Sequence, residues 1–353
     1  MTDESKKILI IKYNKDYNRN SNLVWAFLQK CNTHVLTVSQ PITLAEKIDI
    51  FLKFFIDKKI TTILYLWPCN TSLILLLGAK LFKKTIISDC FVSYYDSAVN
   101  DRKICNKYSI FAIKQYILDY LNVKAGNILF FDTHSHKEYF ANTFGISPKK
   151  IIKVLPVSVD IDYINKIQPT TAVHIFSKAK INIFWYGSYI PLQGVEYIIE
   201  AASLLSANTD IQFILVGASK EKLKTKVNSN IIEASNINFL ERVPYNILLE
   251  YIKRSDFCLG IFGDSDKAKR VIPNKILDCM ACGKVVITGS NDDMQKYFTD
   301  HEDIIYCEMA NAYDLANKIT WLINNPKALS AIQINASKKI TKYFDKKILS
   351  DII

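Results

Sequence analysis

The 353-residue sequence predicts an α/β protein made of two doubly wound domains. Short runs of apolar and β-branched residues alternate with longer amphipathic segments, a pattern typical of a parallel sheet with helices on both faces. The alternation stops over the polar, aperiodic residues 165–180 and then resumes. The length is that of two ordinary domains, and the 49% hydrophobic content is sufficient to fill two cores.

The first half of the chain contains six predicted strands joined by helices. The strands are short apolar runs, and the helices are longer segments whose apolar residues recur every three to four positions. We predict strands over residues 7–13, 34–38, 61–67, 85–88, 127–132 and 151–157, and helices over 23–30, 44–56, 71–82, 104–121 and 135–144. Residues 1–164 are therefore assigned to an N-terminal domain, whose ligands we expect beyond the carboxyl ends of its strands.

The second half repeats the alternation after a linker over residues 165–180. We predict strands over 181–188, 211–217, 237–243, 256–262, 284–288 and 304–307, and helices over 192–205, 220–227, 245–253, 274–282 and 312–323. Residues 181–326 form the second predicted domain. Residues 327–353 form an amphipathic terminal segment.

The chain is basic, with 45 lysine and arginine residues against 34 acidic ones and a formal net charge of +11. This charge is compatible with nucleic acid, an anionic membrane surface or an anionic substrate. We expect no nucleic-acid partner, because the basic residues are spread along the chain and form no nucleic-acid-binding motif. A cytoplasmic protein that binds a nucleotide and docks peripherally on the inner face of the cytoplasmic membrane fits this charge better.

The sequence predicts no secretory signal, membrane span, metal site or cofactor. Residues 7–13 form a strand directly after a short charged N-terminus, and the longest apolar region, 63–82, is interrupted by proline, asparagine and glycine. The eight cysteines are scattered. Cys279 and Cys282 form one Cys-x-x-Cys pair, but it lies inside a predicted helix without a second pair or a nearby histidine.

The most informative segment is 264–288, which predicts a loop, a short helix and a buried strand. Pro273 suits the first helical position, and Gly283 is placed to end the helix in a left-handed conformation. Four basic residues crowd the helix start: Lys267, Lys269, Arg270 and Lys275. Cations there are unfavourable beside the positive end of the helix dipole, so a bound phosphate would compensate. Asp278 adds an acceptor for ligand hydroxyls; the alternative is a solvated basic loop with a Lys275–Asp278 surface pair.

The stretch RVIPNKILDCMACGKVVIT, residues 270–288, resembles the donor-site segment of family 4-type glycosyltransferases. These enzymes have the GT-B fold, in which two Rossmann-like domains face a central cleft. Arg270 stands where the family has its first glutamate, and Asp278 stands at the second acidic position. The resemblance implies that Arg270 and Lys275 act as catalytic cations on the donor diphosphate, with Pro273 and Asn274 in the same turn. It also implies that Asp278 holds the nucleotide ribose.

A second stretch, WYGSYIPLQGVEYIIEAA at residues 185–202, resembles the family's phosphate-binding turn. The family has two cations there, where this chain has Ser188 and Gln193. The resemblance implies that Gly187 and Ser188 contact the donor, and that the missing charge is supplied by Arg270 and Lys275. In the segment LERVPY, Val243 stands where family members hold the base through backbone contacts.

The loop 89–103 resembles the acceptor-facing loop of a subgroup of bacterial polysaccharide glycosyltransferases. Asp96 is our candidate for a general base or a carboxylate that orients an acceptor hydroxyl. The alternative is that this loop is a helix N-terminus capped by Asn100 or Asp101. In the predicted helix that follows, three lysines share one face: Lys103, Lys107 and Lys114. That face either lies on anionic lipid or is solvated.

The sequence thus predicts a glycosyltransferase that moves a sugar from a nucleotide-diphosphate donor to a saccharide or lipid-linked saccharide acceptor. The resemblance places this reaction in surface polysaccharide or lipopolysaccharide synthesis, with acceptor binding in the N-terminal domain and nucleotide-sugar binding in the C-terminal domain. It also implies that residues 327–353 cross back towards the N-terminal domain. The alternatives are a nucleotide-sugar epimerase or phosphorylase of the same fold, and a GT-B-like binding protein without turnover.

Overall fold

The computed structural model describes residues 7–14, 18–169, 175–217, 223 and 234–353. The chain divides into two compact units, the first comprising Met1–Ser158 with Lys346–Ile353 and the second comprising Val159–Asp345. Each unit contains one six-stranded sheet in which every pairing between strands is parallel. The predicted α/β class with two parallel, helix-covered sheets is therefore confirmed.

The first unit has the strand order β2-β1-β3-β4-β5-β6. Its strands are β1 (Lys7–Tyr13), β2 (Thr33–Val38), β3 (Ile60–Tyr65), β4 (Thr85–Asp89), β5 (Ile128–Phe131) and β6 (Ile151–Val154). Its helices are α1 (Asn18–Lys30), α2 (Leu44–Ile50), α3 (Leu73–Leu81), α4 (Ile110–Ala125) and α5 (His134–Phe144), with π-helical segments at Phe51–Phe55 and Asp96–Asp101.

Helices cover both faces of the first sheet. Successive residues of β1 point to opposite faces, so Leu9 packs with α3 and the first π-helical segment, whereas Ile10 packs with α1. The last helix of the chain, Lys346–Ile352, also belongs to this unit and packs against α1. Its Leu349 lies in the same apolar cluster as Ile10.

The second unit has the strand order β12-β11-β10-β7-β8-β9. Its strands are β7 (Ile181–Tyr186), β8 (Ile211–Val216), β9 (Ile237–Leu240), β10 (Phe257–Leu259), β11 (Val285–Gly289) and β12 (Ile305–Cys307). Its helices, numbered in order through the described residues, are α6 (Ile161–Lys166), α7 (Val195–Leu204), α8 (Tyr245–Arg254), α9 (Asn274–Ala281), α10 (Asp292–Gln295), α11 (Ala312–Asn324) and α12 (Pro326–Tyr343). The helix Lys346–Ile352 of the first unit is therefore α13.

The order of the second sheet contains a switch point beside β7. The chain proceeds outward from β7 through β8 to β9, and then returns to β10 on the other side of β7. In open α/β sheets, ligands bind in the crevice that such a reversal leaves at the carboxyl ends of the strands. The loops that follow β7 and β10 are therefore the first place to look for a site.

The predicted helix over 104–121 is wrong in its start. The helix is α4, which begins at Ile110 after Ser109, whose hydroxyl accepts from the backbone N–H of Ala112. Asn100 and Asp101 lie in the π-helical segment, and neither is the N-cap of α4, so that interpretation is wrong. Lys103 has a left-handed backbone (φ 50°), which a continuous helix excludes, and Lys107 also precedes α4. The proposed face of three lysines is therefore wrong as well.

Other predicted bounds change in smaller ways. Pro273 is the N-cap of α9, with an extended ψ of 136°, and not its first helical residue. Gly283 ends that helix with φ 74°, as predicted. Apart from residue 223, the predicted helix over 220–227 lies outside the described residues, as does part of the predicted linker over 165–180. Of the terminal segment 327–353, only Lys346–Ile353 belongs to the first unit. Among the described helices, none is both long enough and apolar enough to cross a bilayer.

Candidate functional site

The strand ends at the switch point of the second sheet are built from glycine. Gly187 follows β7 and its N–H donates to the carbonyl of Val216 at 3.0 Å, so the main chain continues the sheet by one residue. A Cβ added at Gly187 would lie 2.8 Å from Cζ2 of Trp185 and 3.0 Å from Oε1 of Gln193. Only glycine fits there, and the backbone of Gly187 and Ser188 is left accessible to a ligand.

The loops after β7 and β10 touch each other through their main chains. Gly194 has φ 59°, and a Cβ added to it would lie 2.3 Å from the nitrogen of Gly263. The N–H of Phe262 donates to the carbonyl of Gln193 at 3.1 Å. This packing fixes the turn that carries Gln193, and directs its side chain towards α9.

Lys275, the second residue of α9, lies at this switch point and is buried. Its ammonium donates to Oε1 of Gln193 and, at 3.3 Å, to the carbonyl of Gly260, and lies 4.0 Å from the ring centroid of Trp185. The indole N–H of Trp185 donates to the same carbonyl at 3.0 Å. Burial lowers the pKa of Lys275 well below its ordinary value. The structure thus places a lysine with a weakly held proton between the carboxyl ends of β7 and β10.

Asp278 is also buried, on the same side of α9. Its two carboxylate oxygens accept from the hydroxyl of Tyr186 at 2.6 Å and from that of Tyr245 at 2.8 Å. Burial raises the pKa of Asp278 to about 6, and the two tyrosine hydroxyls act in the opposite direction. Because Lys275 and Asp278 lie on the buried face of α9, the alternative of a surface pair between them is wrong.

Arg270 ends a single 3-10 turn, Ala268–Arg270, that precedes α9. The amide of Asn291 holds this turn by donating to the carbonyls of Ala268 at 3.1 Å and Val271 at 2.9 Å. Arg270 is half-buried, and its Nε donates to the carbonyl of Asp266 at 2.8 Å. The predicted contact of Arg270 with a donor diphosphate stays a prediction.

The start of α9 itself is formed by Pro273 and Asn274, both half-buried. Within the described residues, no side chain caps this helix. The N–H of Ile276 donates to the carbonyl of Pro273 at 3.1 Å, and the N–H groups of Asn274 and Lys275 remain for solvent or an anionic ligand. This arrangement suits the role predicted for the Pro-Asn-Lys turn, which stays a prediction.

Arg242 is the residue that the sequence reasoning missed. It follows β9, is exposed, and donates from Nη2 to the hydroxyl of Ser188 at 2.6 Å. The two positions that lack the family's cations therefore each receive one from another segment: Arg242 reaches Ser188, and Lys275 reaches Gln193. The prediction that Arg270 and Lys275 supply this charge did not include Arg242, and for Arg270 it stays a prediction. Val243, the predicted base contact, is the next residue of the same loop.

The signal that could have identified Arg242 is its position in the chain. It lies just beyond the end of a strand, where parallel sheets bind ligands, and only one residue before Val243. Its contact with Ser188 joins residues 54 positions apart. Such a pairing follows from the neighbouring positions of β7, β8 and β9, and not from any local pattern.

Asp96, in the first unit, is buried in the second π-helical segment. Its Oδ1 accepts from the amide of Asn100 at 2.9 Å, and its backbone N–H donates to the hydroxyl of Ser93 at 3.0 Å. The Ser93 hydroxyl also donates, at 2.7 Å, to Asp119, a second buried carboxylate whose pKa burial raises to about 6. The part predicted for Asp96 in acceptor chemistry stays a prediction.

Two further buried pairs lie at the carboxyl edge of the first sheet. Arg19 of α1 forms a salt bridge with Asp89 at the end of β4, at 2.9 Å, and also donates to the carbonyl of Leu155. Nδ1 of His136 lies 2.7 Å from Oδ1 of Asp132, just beyond β5. Through these links, the strand ends are tied to α1 and α5. Within the described residues, no three or more histidines, cysteines or carboxylates are grouped so that they could hold a metal ion.

Comparison with known proteins gives one family match and two distant relatives. Residues 180–325 match the family model described as "Glycosyl transferases group 1". An N,N'-diacetylbacillosaminyl-diphospho-undecaprenol α-1,3-N-acetylgalactosaminyltransferase from Campylobacter jejuni is 22% identical over 63% of this chain and 58% of its own length. An uncharacterized glycosyltransferase from Methanocaldococcus jannaschii is 26% identical over 45% of this chain and 42% of its own. The matches thus span only about half the length of these curated relatives.

Solved structures resemble the chain over nearly its whole length. HepE from Anabaena, in complex with UDP and glucose, matches with a TM-score of 0.72 at 12% identity, covering 98% of this chain and 97% of its own. Sucrose-phosphate synthase from Thermosynechococcus elongatus matches with a TM-score of 0.75 at 13% identity, covering 98% and 96%. At this identity the likeness shows the fold, which is that of GT-B glycosyltransferase structures.

Proposed function

We propose that this chain, which has the GT-B fold and carries a group 1 glycosyltransferase domain, transfers a sugar from a nucleoside-diphosphate donor to a hydroxyl of an acceptor. In this reaction the bond between the anomeric carbon and the diphosphate oxygen breaks, and the acceptor oxygen bonds to that carbon as its proton leaves. The observation that carries the proposal is Lys275, held at the switch point between β7 and β10 inside the matched domain.

The leaving group of such a transfer is a diphosphate, which must be stabilised as its negative charge develops. Lys275 and Arg242 place two cations around Gly187, and the start of α9, which no described side chain caps, adds the N–H groups of Asn274 and Lys275. Fixed cations and dipoles of this kind are usually the largest source of catalysis when charge develops on a leaving group. A diphosphate beside Lys275 would favour its charged form, and so reverse the effect of burial on its pKa.

Asp278 has a narrower part in this proposal than the resemblance implies. Both of its carboxylate oxygens already accept a tyrosine hydroxyl, and the side chain is 2% exposed. Because the carboxylate is enclosed, a direct bond to the donor ribose requires the groups around it to move. In the structure as it stands, Asp278 acts as a positioning residue, because it holds the hydroxyls of both tyrosines and Tyr186 directly precedes Gly187.

For the acceptor, we propose a saccharide or a lipid-linked saccharide used in surface polysaccharide or lipopolysaccharide synthesis. The name of the Campylobacter jejuni relative includes a diphospho-undecaprenol acceptor, and that relative supports this class of acceptor. The basic charge of this chain fits work at the inner face of the cytoplasmic membrane, where anionic lipids collect cations. Asp96 remains our candidate for the carboxylate that orients or deprotonates the acceptor hydroxyl.

A panel of nucleotide sugars, each assayed with and without acceptor for release of the nucleoside diphosphate, tests the proposal. We expect one donor to be consumed in the presence of a lipid-linked or free saccharide, with a product heavier by one sugar. Conversion of the donor without any acceptor would favour an epimerase, and a thermal shift without turnover would favour a binding protein. If no nucleotide sugar stabilises the protein or is consumed, the proposal is wrong.

A further inference from the structure

We infer that the outer surface of α2, the π-helical segment Phe51–Phe55, α3 and α4 docks on an anionic lipid bilayer. We call this surface the apolar face. The inference rests on the proposed function for a reason to be at a membrane. Its evidence is the exposure and charge of side chains in the first unit, and it does not involve Lys275. It identifies which part of the chain meets the membrane and which lipids it selects.

The apolar face begins with a stripe along α2 and the π-helical segment that follows it. Large aliphatic side chains recur there every four residues, and each is between 52% and 68% exposed. They are Leu44, Ile48, Leu52 and Ile56. Because residues four positions apart lie on the same face of a helix, these side chains form one continuous strip. Amphipathic helices of soluble proteins normally turn these residues inward.

The stripe continues on α3 and α4. On α3 the exposed side chains are those of Ile74, Leu77 and Leu81, between 56% and 75% exposed. On α4 they recur with helical spacing, at Ile110, Ile113, Ile117 and Tyr120, between 38% and 87% exposed. Both helices bury a different side, so the exposed apolar residues are not the core-facing ones.

The three stripes are neighbours on one layer. A Cβ added at Gly78 of α3 would lie 2.7 Å from the rings of Phe51 and Phe55, which shows how closely α3 approaches the π-helical segment. On its other side α3 packs against α4. The outward side chains of all three elements therefore form a single surface. Contiguous apolar surfaces of this extent mark sites of contact with proteins or membranes.

Charge decides between those two kinds of partner. Between residues 73 and 125 there are four acidic residues, and all of them are buried: Asp89, Asp96, Asp101 and Asp119. The same stretch has eight cationic residues, of which seven are exposed and Lys84 is half-buried: Lys80, Lys83, Lys84, Arg102, Lys103, Lys107, Lys114 and Lys124. Across α3, α4 and their connection, the exposed charges of the apolar face are thus all positive. On α2 and the π-helical segment the charges balance, with Glu46 and Asp49 against Lys47 and Lys53, and Lys53 pairs with Asp49 at 2.7 Å.

A lysine-lined cavity adjoins the apolar face. Its volume is about 530 Å³, and it is lined by five uncharged residues and four lysines: Lys80, Lys124, Lys149 and Lys150. The ammonium of Lys124 lies 5.1 Å from the ring centroid of Tyr120, the last exposed side chain of the α4 stripe. None of the described residues that line the cavity is acidic, so a lipid phosphate bound there would neutralise its lysines.

A second copy of the chain is the weaker candidate for this surface. A symmetric dimer would bring the same patch of both copies together, and the lysines of one copy would face those of the other. An anionic bilayer instead neutralises them, at about 1 kcal/mol for each lysine or arginine near the surface. Exposed apolar side chains flanked by lysines are also typical of helices that lie in the interface of a membrane.

Flotation of the full chain with vesicles tests this inference. We expect binding to phosphatidylcholine vesicles that contain phosphatidylglycerol, and much weaker binding to phosphatidylcholine alone. The double variant Leu77→Glu/Ile117→Glu should lose binding, whereas Ile334→Glu, at a position 58% exposed in the second unit, should retain it. Lys80→Gln/Lys124→Gln should weaken binding about 30-fold, which corresponds to about 1 kcal/mol for each cation.

Melting temperatures equal to that of the wild type will show that the variants are folded, since all the changed side chains are exposed. Nucleotide-sugar turnover with a water-soluble acceptor, measured on the same variants, separates the two proposals. Lost flotation with retained turnover supports the apolar face. Wild-type protein that does not float with anionic vesicles, or a Leu77→Glu/Ile117→Glu variant that floats as well as the wild type, overturns it. A wild-type dimer that this variant splits, with no vesicle binding by either protein, would assign the surface to a second copy and also overturn it.

Discussion

Replacing Lys275 with methionine tests the candidate site most directly. Lys275→Met keeps the aliphatic part of the side chain beside Trp185 and removes only the ammonium. A charge-assisted hydrogen bond contributes about 1.5–3 kcal/mol, so the variant should bind its nucleoside diphosphate about 10- to 150-fold more weakly. Turnover should fall by at least about tenfold, because the same charge stabilises the leaving group.

The effect of Lys275→Met on folding should be smaller than its effect on binding. The carbonyl of Gly260 keeps its bond from the indole of Trp185, whereas the Gln193 side-chain carbonyl loses its lysine donor. An acceptor left unpaired costs about 1–3 kcal/mol, but removal of a buried ammonium also relieves the cost of its burial. These effects oppose each other, and we expect the free energy of unfolding to change by less than about 2 kcal/mol.

Titration calorimetry with the nucleoside diphosphate, together with denaturant unfolding, measures both quantities. Lys269→Met is the matched control, because it removes the same charge from an exposed side chain of the neighbouring turn. We expect the control to bind the nucleotide as the wild type does. Equal losses in the two variants would mean that only net charge matters. If Lys275→Met binds the nucleoside diphosphate as tightly as the wild type does, Lys275 is not part of the donor site.

Three further predictions concern the same site. Arg242→Gln should weaken donor binding about tenfold, by loss of one charge-assisted bond, in direct titrations; wild-type affinity would show that its contact with Ser188 is incidental. The pKa of Asp278 is raised from 3.8 to about 6, so the folded protein gains stability at low pH that is lost as pH rises from about 4 to about 6, amounting to about 3 kcal/mol. In Asp278→Asn, the free energy of unfolding should not show this fall between about pH 4 and about pH 6. A fall as large as that of the wild type would refute the assignment to Asp278. Nucleotide binding should take up a proton at Lys275 and weaken as pH rises, as shown by calorimetry in buffers of different ionisation enthalpy; the uptake should vanish in Lys275→Met, and its persistence there would assign it to another group.

Much of the fold could be predicted because its signal is local. Each strand is a short run of apolar residues bounded by polar ones, and the alternation with helices permits few topologies. The start of α4 could not be predicted in this way. Apolar spacing continues upstream through residues 104–109, but Lys103 adopts a left-handed backbone and Ser109 caps the helix. A capping residue such as Ser109 is a stronger signal of a helix start than apolar spacing is.

The site was predictable in part for the same reason. The basic helix start located Lys275, but its burial depends on Gln193, 82 residues away in the chain. Asp278 likewise meets Tyr186, 92 residues away, so its two tyrosine partners carry no signal in the local sequence. Arg242 reaches Ser188 only because β7, β8 and β9 are adjacent in the sheet. Such contacts become visible only once strand order is known.

The contact between Gly194 and Gly263 has a consequence for how this crevice can vary. A side chain on Gly194 would need the space of the Gly263 main chain, and one on Gly263 would need that of the Pro191 and Leu192 main chain, so the distance between the two loops is set by main chain alone. Side chains around them are then free to be exchanged among segments without altering the width of the gap. That freedom accounts for a site whose two cations come from different segments, Arg242 from the loop after β9 and Lys275 from α9. The width of the crevice stays the same.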